Sequence, residues 1–93
     1  MIKSFGDKAT EELYTTGRSR RFPQGVWRIG VRKLDYLHAA TRLDDLKAPP
    51  GNRLEPLKGK YTGKYSIRIN DQYRIVFRFQ AGDAYDVEIT DYH

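Results

Sequence analysis

The sequence has no cysteine among its 93 residues. Without a thiol there is no disulfide framework, no thiolate metal site and no cysteine nucleophile, and a reducing, intracellular compartment is the economical expectation. Histidine is scarce too: His38 and His93 are the only two. Two imidazoles among scattered carboxylates do not make a metal-ligand spacing, so the sequence predicts no metal and no other cofactor. No glycine-rich phosphate loop, Ser-His-Asp order or paired-carboxylate motif stands out. No stretch approaches the roughly 20 apolar residues of a membrane span, and the opening MIKSFGDKAT lacks the apolar run of a signal peptide. The expectation is a cytoplasmic protein without a membrane partner.

Basic side chains are plentiful but unevenly placed. Seventeen Lys and Arg against twelve Asp and Glu leave a formal net charge of +5, which favours polyanionic partners such as nucleic acid. Residues 53–79 carry seven basic and two acidic groups, whereas residues 80–93 carry no Lys or Arg and four acids. The middle block holds the positive field, and the last strand brings carboxylates beside it.

The length fits one domain over residues 1–93, in which roughly two-thirds of the unfolded surface is buried. IKSF reads as a short opening strand. Asp7 is a good N-cap for a helix to about Thr16, with Gly17 as its stop. A basic connection, GRSRRFPQG, leads to a second helix from Pro23 or Gln24, whose apolar stripe is Trp27, Val31, Leu34 and Leu37. Gly30 weakens that helix without excluding it; TRLDDL continues it or adds a turn, and KAPPGN ends it. After residue 53 the period becomes two. Tyr65, Ile67 and Ile69, then Tyr73, Ile75, Phe77 and Phe79, then Tyr85, Val87 and Ile89 give three strands of an antiparallel meander with one apolar face. RLEPLKG adds an edge strand, because Pro56 cannot donate to a central ladder. The class is α+β, two N-terminal helices packed on one face of a mainly antiparallel sheet.

Apolar residues must meet across each hairpin, and this sets the register. A three-residue loop at Asn70-Asp71-Gln72 pairs Ile69 with Tyr73, Ile67 with Ile75 and Tyr65 with Phe77. The same logic at Ala81-Gly82-Asp83 pairs Phe79 with Tyr85, Phe77 with Val87 and Ile75 with Ile89. On the opposite, polar face Arg68 then lies against Arg74, Arg74 against Thr90, and Arg78 against Asp86, with Tyr92 on the same side. Like charges directly opposite destabilise a sheet by up to about 1 kcal/mol. An anion held between Arg68 and Arg74 would offset this, since guanidinium forks match phosphate oxygens. Taken alone, two solvated arginines explain that pair as well; Arg53, Lys58, Lys60 and Lys64 nearby tilt the reading toward nucleic acid. Tyr61 is available to stack a base, whereas Tyr65 and Tyr73 belong by parity to the core, and Trp27 reads as a core anchor. His38 follows a stripe residue and is given no role. His93 ends the sequence beside Asp91 and Tyr92, and an imidazole with a pKa of about 6.5 is suited to proton transfer near neutral pH.

The ordered combination of MIKSF, PPGNRLEPLKG, YSIRINDQYRIVFRF and the terminal DYH resembles the HigB toxins, including those also called GraT, within the RelE/ParE toxin-antitoxin superfamily. The resemblance spans nearly the whole chain. It implies a RelE-like fold and a ribosome-dependent endoribonuclease that cuts translated mRNA in the A site of the 70S ribosome. It also implies a metal-independent attack by the ribose 2'-hydroxyl, leaving a cyclic phosphate. The implied partner is a HigA-type antitoxin with a helix-turn-helix, through which alone operator DNA is met. Carried over residue by residue, Lys58 and Arg74 match the positions that stabilise charge on the phosphate, and Asp91, Tyr92 and His93 match the C-terminal functional triplet. Arg53, Lys60 and Arg68 are candidate RNA contacts. Glu55 departs from the pattern, standing where some members carry His: a carboxylate there either serves as a base or repels phosphate. The competing readings are a ParE-like gyrase poison and a non-enzymatic basic RNA-binding module.

Overall fold

The computed structural model describes residues 1–91. Two helices, α1 (Lys8–Thr16) and α2 (Gln24–Ala39), precede four strands, β1 (Glu55–Pro56), β2 (Tyr65–Arg68), β3 (Tyr73–Gln80) and β4 (Asp83–Asp91). The strands pair antiparallel in sequence order, β1-β2-β3-β4. Short 3₁₀ turns at Leu43–Lys47, Pro50–Asn52 and Gly59–Tyr61 fill the connections.

Local chemistry sets the ends of α1. The Asp7 carboxylate accepts the Thr10 N–H at 2.8 Å, which satisfies one of the free donors of the first turn. At the other end Gly17 adopts φ 83, and its N–H closes onto the Leu13 carbonyl. The opening segment runs beside β4 through isolated parallel bridges, Ile2 with Ala84 and Phe5 with Val87. His38, which sequence reasoning assigns no role, tethers this segment: its Nδ1 accepts the Ile2 N–H at 3.1 Å.

One core lies between the helices and the sheet. Leu13, Leu34, Leu37, Ile67, Ile75, Phe77 and Val87 are fully buried in it, each side chain contributing roughly 1.5–3 kcal/mol of transfer free energy. The inward stripe of α2 is rotated from the expected one: Val26, Gly30, Lys33, Leu34 and Leu37 are buried, while Trp27 and Val31 are only half-buried. Gly30 is the reason. A Cβ there would stand 3.2 Å from Leu13 Cδ2, so its absence lets α1 approach closely. Trp27 stays at the margin, donating its indole N–H to the carbonyls of Ser19 and Phe22 at 2.9 and 3.0 Å.

The first hairpin has the expected register, Tyr65 against Phe77, Ile67 against Ile75 and Arg68 against Arg74. The second corrects the expectation. Its loop is two residues, Ala81-Gly82, both with positive φ (53 and 83), so Gln80 meets Asp83 and Phe79 meets Ala84 rather than Tyr85. A bulge between Val76 and Arg78, with Asp86 at φ 53, absorbs the offset, and Ile75 again meets Ile89. The edge strand is also shorter than RLEPLKG; Glu55 and Pro56 alone pair with β2. Among the described residues no helix is long and apolar enough to cross a membrane.

Candidate active site on the outer face of the sheet

The face turned away from the helices is not a plain solvated surface. Ser66 lies opposite Glu55 on one side and Val76 on the other, so the three share this face. Ser66 and Val76 are fully buried and Leu57 is 7% exposed, yet none of them belongs to the main core cluster. They make a second, small floor under the outer face.

Arg74 is held on that floor. Its Nε donates to Ser66 Oγ at 2.7 Å, and its Nη2 donates to the Arg53 carbonyl at 2.8 Å. Glu55 Oε1 stands 3.4 Å from the same Nη2, and the Arg74 side chain is only 15% exposed. Two fixed acceptors on a planar donor determine both the direction of the fork and its plane. The remaining nitrogen, Nη1, has no partner among the described residues.

The carbonyl that holds Arg74 is itself braced. Arg53 follows the Pro50–Asn52 turn in a left-handed conformation, φ 46, with its N–H on the Pro50 carbonyl. Asn52 is fully buried; its amide donates to the carbonyls of Leu46 and Ala48, both at 3.2 Å, and its Oδ1 accepts from the Lys33 ammonium. Burial, and then the positive charges of Arg32 and Arg68, hold the Lys33 pKa below its ordinary value. An inward lysine of α2 thus anchors the loop that positions the site arginine.

Arg68 faces Arg74 as expected, but each guanidinium has a carboxylate of its own. Arg68 pairs with Asp71 across the hairpin turn, as Arg74 does with Glu55. Internal carboxylates offset the like-charge repulsion in the structure. Arg78 is likewise paired, 2.7 Å from Asp86, and lies over the Tyr85 ring. The turn between β2 and β3 is built on Asn70, whose Oδ1 accepts the N–H groups of Gln72 and Tyr73. Gln72 Nε2 donates to Asp91 Oδ2 at 3.0 Å, so Asp91 stands beside this turn, one residue beyond Thr90, which lies opposite Arg74. Arg68 and Arg74 thus gather at one end of the outer face, and Asp91, opposite Tyr73, lies at the same end of the sheet on its helix-facing side. Lys58 and Lys60 lie exposed on the connection after β1, with the Lys60 ammonium 5.3 Å over the Tyr61 ring. Tyr92 and His93 lie outside the described residues. Among the described residues no three His, Asp or Glu side chains gather as metal ligands would.

Sequence reasoning missed Ser66, Asn52 and Lys33. Ser66 had a weak signal: it is the one small hydroxyl on the arginine-bearing side of β2, beside Arg68 in alternation. Asn52 sat in a stretch read only as a helix stop, and Lys33 fell within a helix where lysine ordinarily faces water.

A family model for the RelE-like toxin of the type II toxin-antitoxin system HigB matches residues 3–93. The chain is 42% identical over 85 residues to "Toxin HigB-1" of Vibrio cholerae, covering 90% of each. To "Endoribonuclease HigB" of Proteus vulgaris it is 39% identical over 94 aligned positions, with full coverage of both. Among solved structures, the toxin-antitoxin complex YoeB-YefM from Staphylococcus aureus contains a chain that superposes with a TM-score of 0.58 at 22% identity, covering 100% of this chain and 98% of that one. A YafQ mutant from E. coli superposes with a TM-score of 0.59 at 14% identity, covering 98% and 91%. These likenesses to solved structures carry the fold; the family match and the close relatives carry the lineage. The chain belongs to the HigB family of RelE-like toxins of type II toxin-antitoxin systems.

Proposed function

We propose that the protein is an endoribonuclease toxin that cuts mRNA on the 70S ribosome, in the A site, without a metal, and that a HigA-type helix-turn-helix antitoxin neutralises it. The observation that carries this reading is the held guanidinium of Arg74, with Ser66 Oγ and the Arg53 carbonyl fixing its plane on the outer face of the sheet. Cleavage of an RNA strand by its own 2'-hydroxyl forms an O–P bond to the adjacent phosphorus and breaks the bond to the 5'-oxygen. Negative charge grows on the non-bridging oxygens, and a donor that needs no reorganisation at that moment lowers the barrier most. Arg74 supplies that donor, with Lys58 as the second cation. One proton must leave the 2'-oxygen and one must reach the departing 5'-oxygen; His93 carries one of these transfers. Tyr92 stacks a base or bonds the phosphate, and Asp91 orients its neighbours from its place beside Gln72. Arg53, Lys60 and Arg68 bind the strand on either side. The relatives named as HigB toxin and HigB endoribonuclease support this reading, as does a neighbouring fold solved with its antitoxin.

The test is cleavage in a translating extract. Wild-type protein should leave new mRNA 5' ends within codons on ribosomes, while Arg74→Ala and a chain lacking His93 should not. Equal cleavage by the chain lacking His93 would remove the terminal residue from the mechanism. DNA damage with intact mRNA would replace the whole reading by gyrase poisoning, and RNA binding without cuts would leave only a binding module.

A further inference from the structure

The guanidinium groups of Arg18, Arg20, Arg21, Arg28 and Arg32 make no ion pair and no hydrogen bond with other described residues. All five arginines are exposed. Their placement is not random. A hollow of about 260 Å³ is lined by Arg21 and Phe22 on one side and by Tyr73, Ile89, Thr90 and Asp91 on the other. A second, of about 440 Å³, is lined by Gly25, Arg28, Ile29 and Arg32 of α2 together with Asn70. Both hollows therefore open where the β2–β3 turn and the end of β4 lie, the end of the sheet that carries Arg68, Arg74 and Asp91. Asp71 is paired with Arg68 and Asp35 accepts from the Tyr14 hydroxyl, while Glu12 lines a third hollow with Arg18, Arg20 and Arg21 and forms no ion pair with them. Asp91, on the rim of the smaller hollow, accepts from Gln72.

We propose that Arg21, Arg28 and Arg32 form a phosphate-binding track for the stretch of RNA strand that continues from the cleavage site, gripping nucleotides beyond the scissile one. The inference rests on the ribonuclease reading for what is bound at the sheet. Exposed guanidinium groups at the same end of the sheet as the site, with no carboxylate paired to them, suit the spaced phosphates of an extended strand. Arg28 and Arg32 lie one helical turn apart on one face of α2, close to the spacing of successive phosphates. An acidic segment of a protein is the other polyanion that such a row would accept. The direct continuity of the two hollows with the sheet end favours RNA.

The experiment measures binding of fluorescent single-stranded RNAs of three and twelve nucleotides, off the ribosome, by wild type and by R21Q/R28Q/R32Q. Three phosphate contacts at about 0.7 counterions each give a salt slope near 2, so from 50 to 200 mM salt wild type should lose about 20-fold more affinity for the 12-mer than the variant does. The 3-mer should bind both alike. Melting temperature serves as the folding control, and the single variant R28Q, expected to remove about a third of the slope, keeps the test informative if the triple variant folds poorly. Identical 12-mer affinities and slopes for wild type and R28Q would overturn the track. So would a variant that binds RNA normally but loses its antitoxin, which would assign the row to an acidic protein. Cleavage on ribosomes is scored separately: if wild type cuts nothing there, the ribonuclease reading fails while the length-dependent binding still decides the track.

Discussion

The arginines of the sheet and those of the helical layer carry the same charge in different company. Arg68, Arg74 and Arg78 each have a carboxylate, Asp71, Glu55 and Asp86; Arg18, Arg20, Arg21, Arg28 and Arg32 have none among the described residues. A paired, partly buried guanidinium contributes little field at a distance but a fixed geometry at contact range. An unpaired, exposed one contributes field out to about a Debye length, roughly 8–10 Å in ordinary buffers, and little geometry. On the proposed reading the molecule divides two tasks that one basic patch would combine: the helical layer attracts and guides the RNA, and the sheet orients it.

The sharpest way to break this division is Arg74→Ala. If geometry is the sheet's contribution, cleavage should fall about 10²–10³-fold, the range for removing one preorganised donor from a developing oxyanion. Affinity for long RNA should change far less. A loss of affinity as large as the loss of cleavage would make Arg74 one more attractive charge, no different from Arg28.

Next in size is the brace. Asn52→Ala leaves the Lys33 ammonium buried without its acceptor, which should cost about 1.5–3 kcal/mol in urea unfolding. Since the Lys33 pKa is lower in the folded than in the unfolded chain, the unfolded chain binds more protons in the interval between the two values. Stability should therefore rise with pH through that interval up to about 10.5, and Lys33→Met should abolish the rise. Because Asn52 secures the turn whose next carbonyl holds Arg74, the variant's kcat on ribosomes should drop at a temperature where it is still folded, with RNA affinity kept. Unchanged kcat in folded Asn52→Ala protein would mean that Ser66 alone positions the guanidinium.

Glu55→Gln probes the third layer. The carboxylate is half-exposed, and surface ion pairs contribute up to about 1 kcal/mol, so releasing Arg74 should tighten RNA binding by up to about fivefold. Tighter binding with cleavage intact marks Glu55 as a competitor of the phosphate. Lost cleavage marks it as a base.

Much of the fold is legible in the sequence, and the missing part has physical causes. The Asp7 cap, the Gly17 stop and the Ile67–Ile75 register follow from local chemistry and alternation, and all are present. Alternation alone does not anticipate the bulge in the second hairpin, nor the left-handed φ of Ala81, a conformation that alanine rarely adopts. Arg74 and Arg68 were found from register, but their carboxylates were not. Glu55 was seen as a neighbour in sequence, and only the pairing of β1 with β2 carries it across to Arg74. Arg28 and Arg32 of α2, with Arg21 before it, escape a count by sequence block, which sees density and not pairing: residues 53–79 look the most basic, yet their three β-strand arginines are all partnered.

The smallest expected effect tests why the row stays free. Asp35 is the only acid in α2 and stands three residues after Arg32, within reach for an ordinary helical ion pair. It is held instead by the Tyr14 hydroxyl, which donates to it at 3.0 Å across the α1–α2 interface. Burial, then that hydrogen bond and the Asp35 charge, push the Tyr14 phenol up to about 12. The folded value exceeds the ordinary 10.0, so the stabilisation is complete below pH 10 and is lost as pH rises through about 12. An absorbance titration at alkaline pH should show one phenol ionising near 12, absent from Tyr14→Phe and moved down in Asp35→Asn. In Tyr14→Phe, Asp35 is free to turn to Arg32, and an exposed pair of this kind contributes about 0.3–0.5 kcal/mol. Affinity for the 12-nucleotide RNA should then fall by about twofold at low salt and recover in Tyr14→Phe/Asp35→Asn. If the single variant binds as wild type does, Arg32 owes its freedom to its position on the helix and not to the tyrosine that occupies its nearest acid.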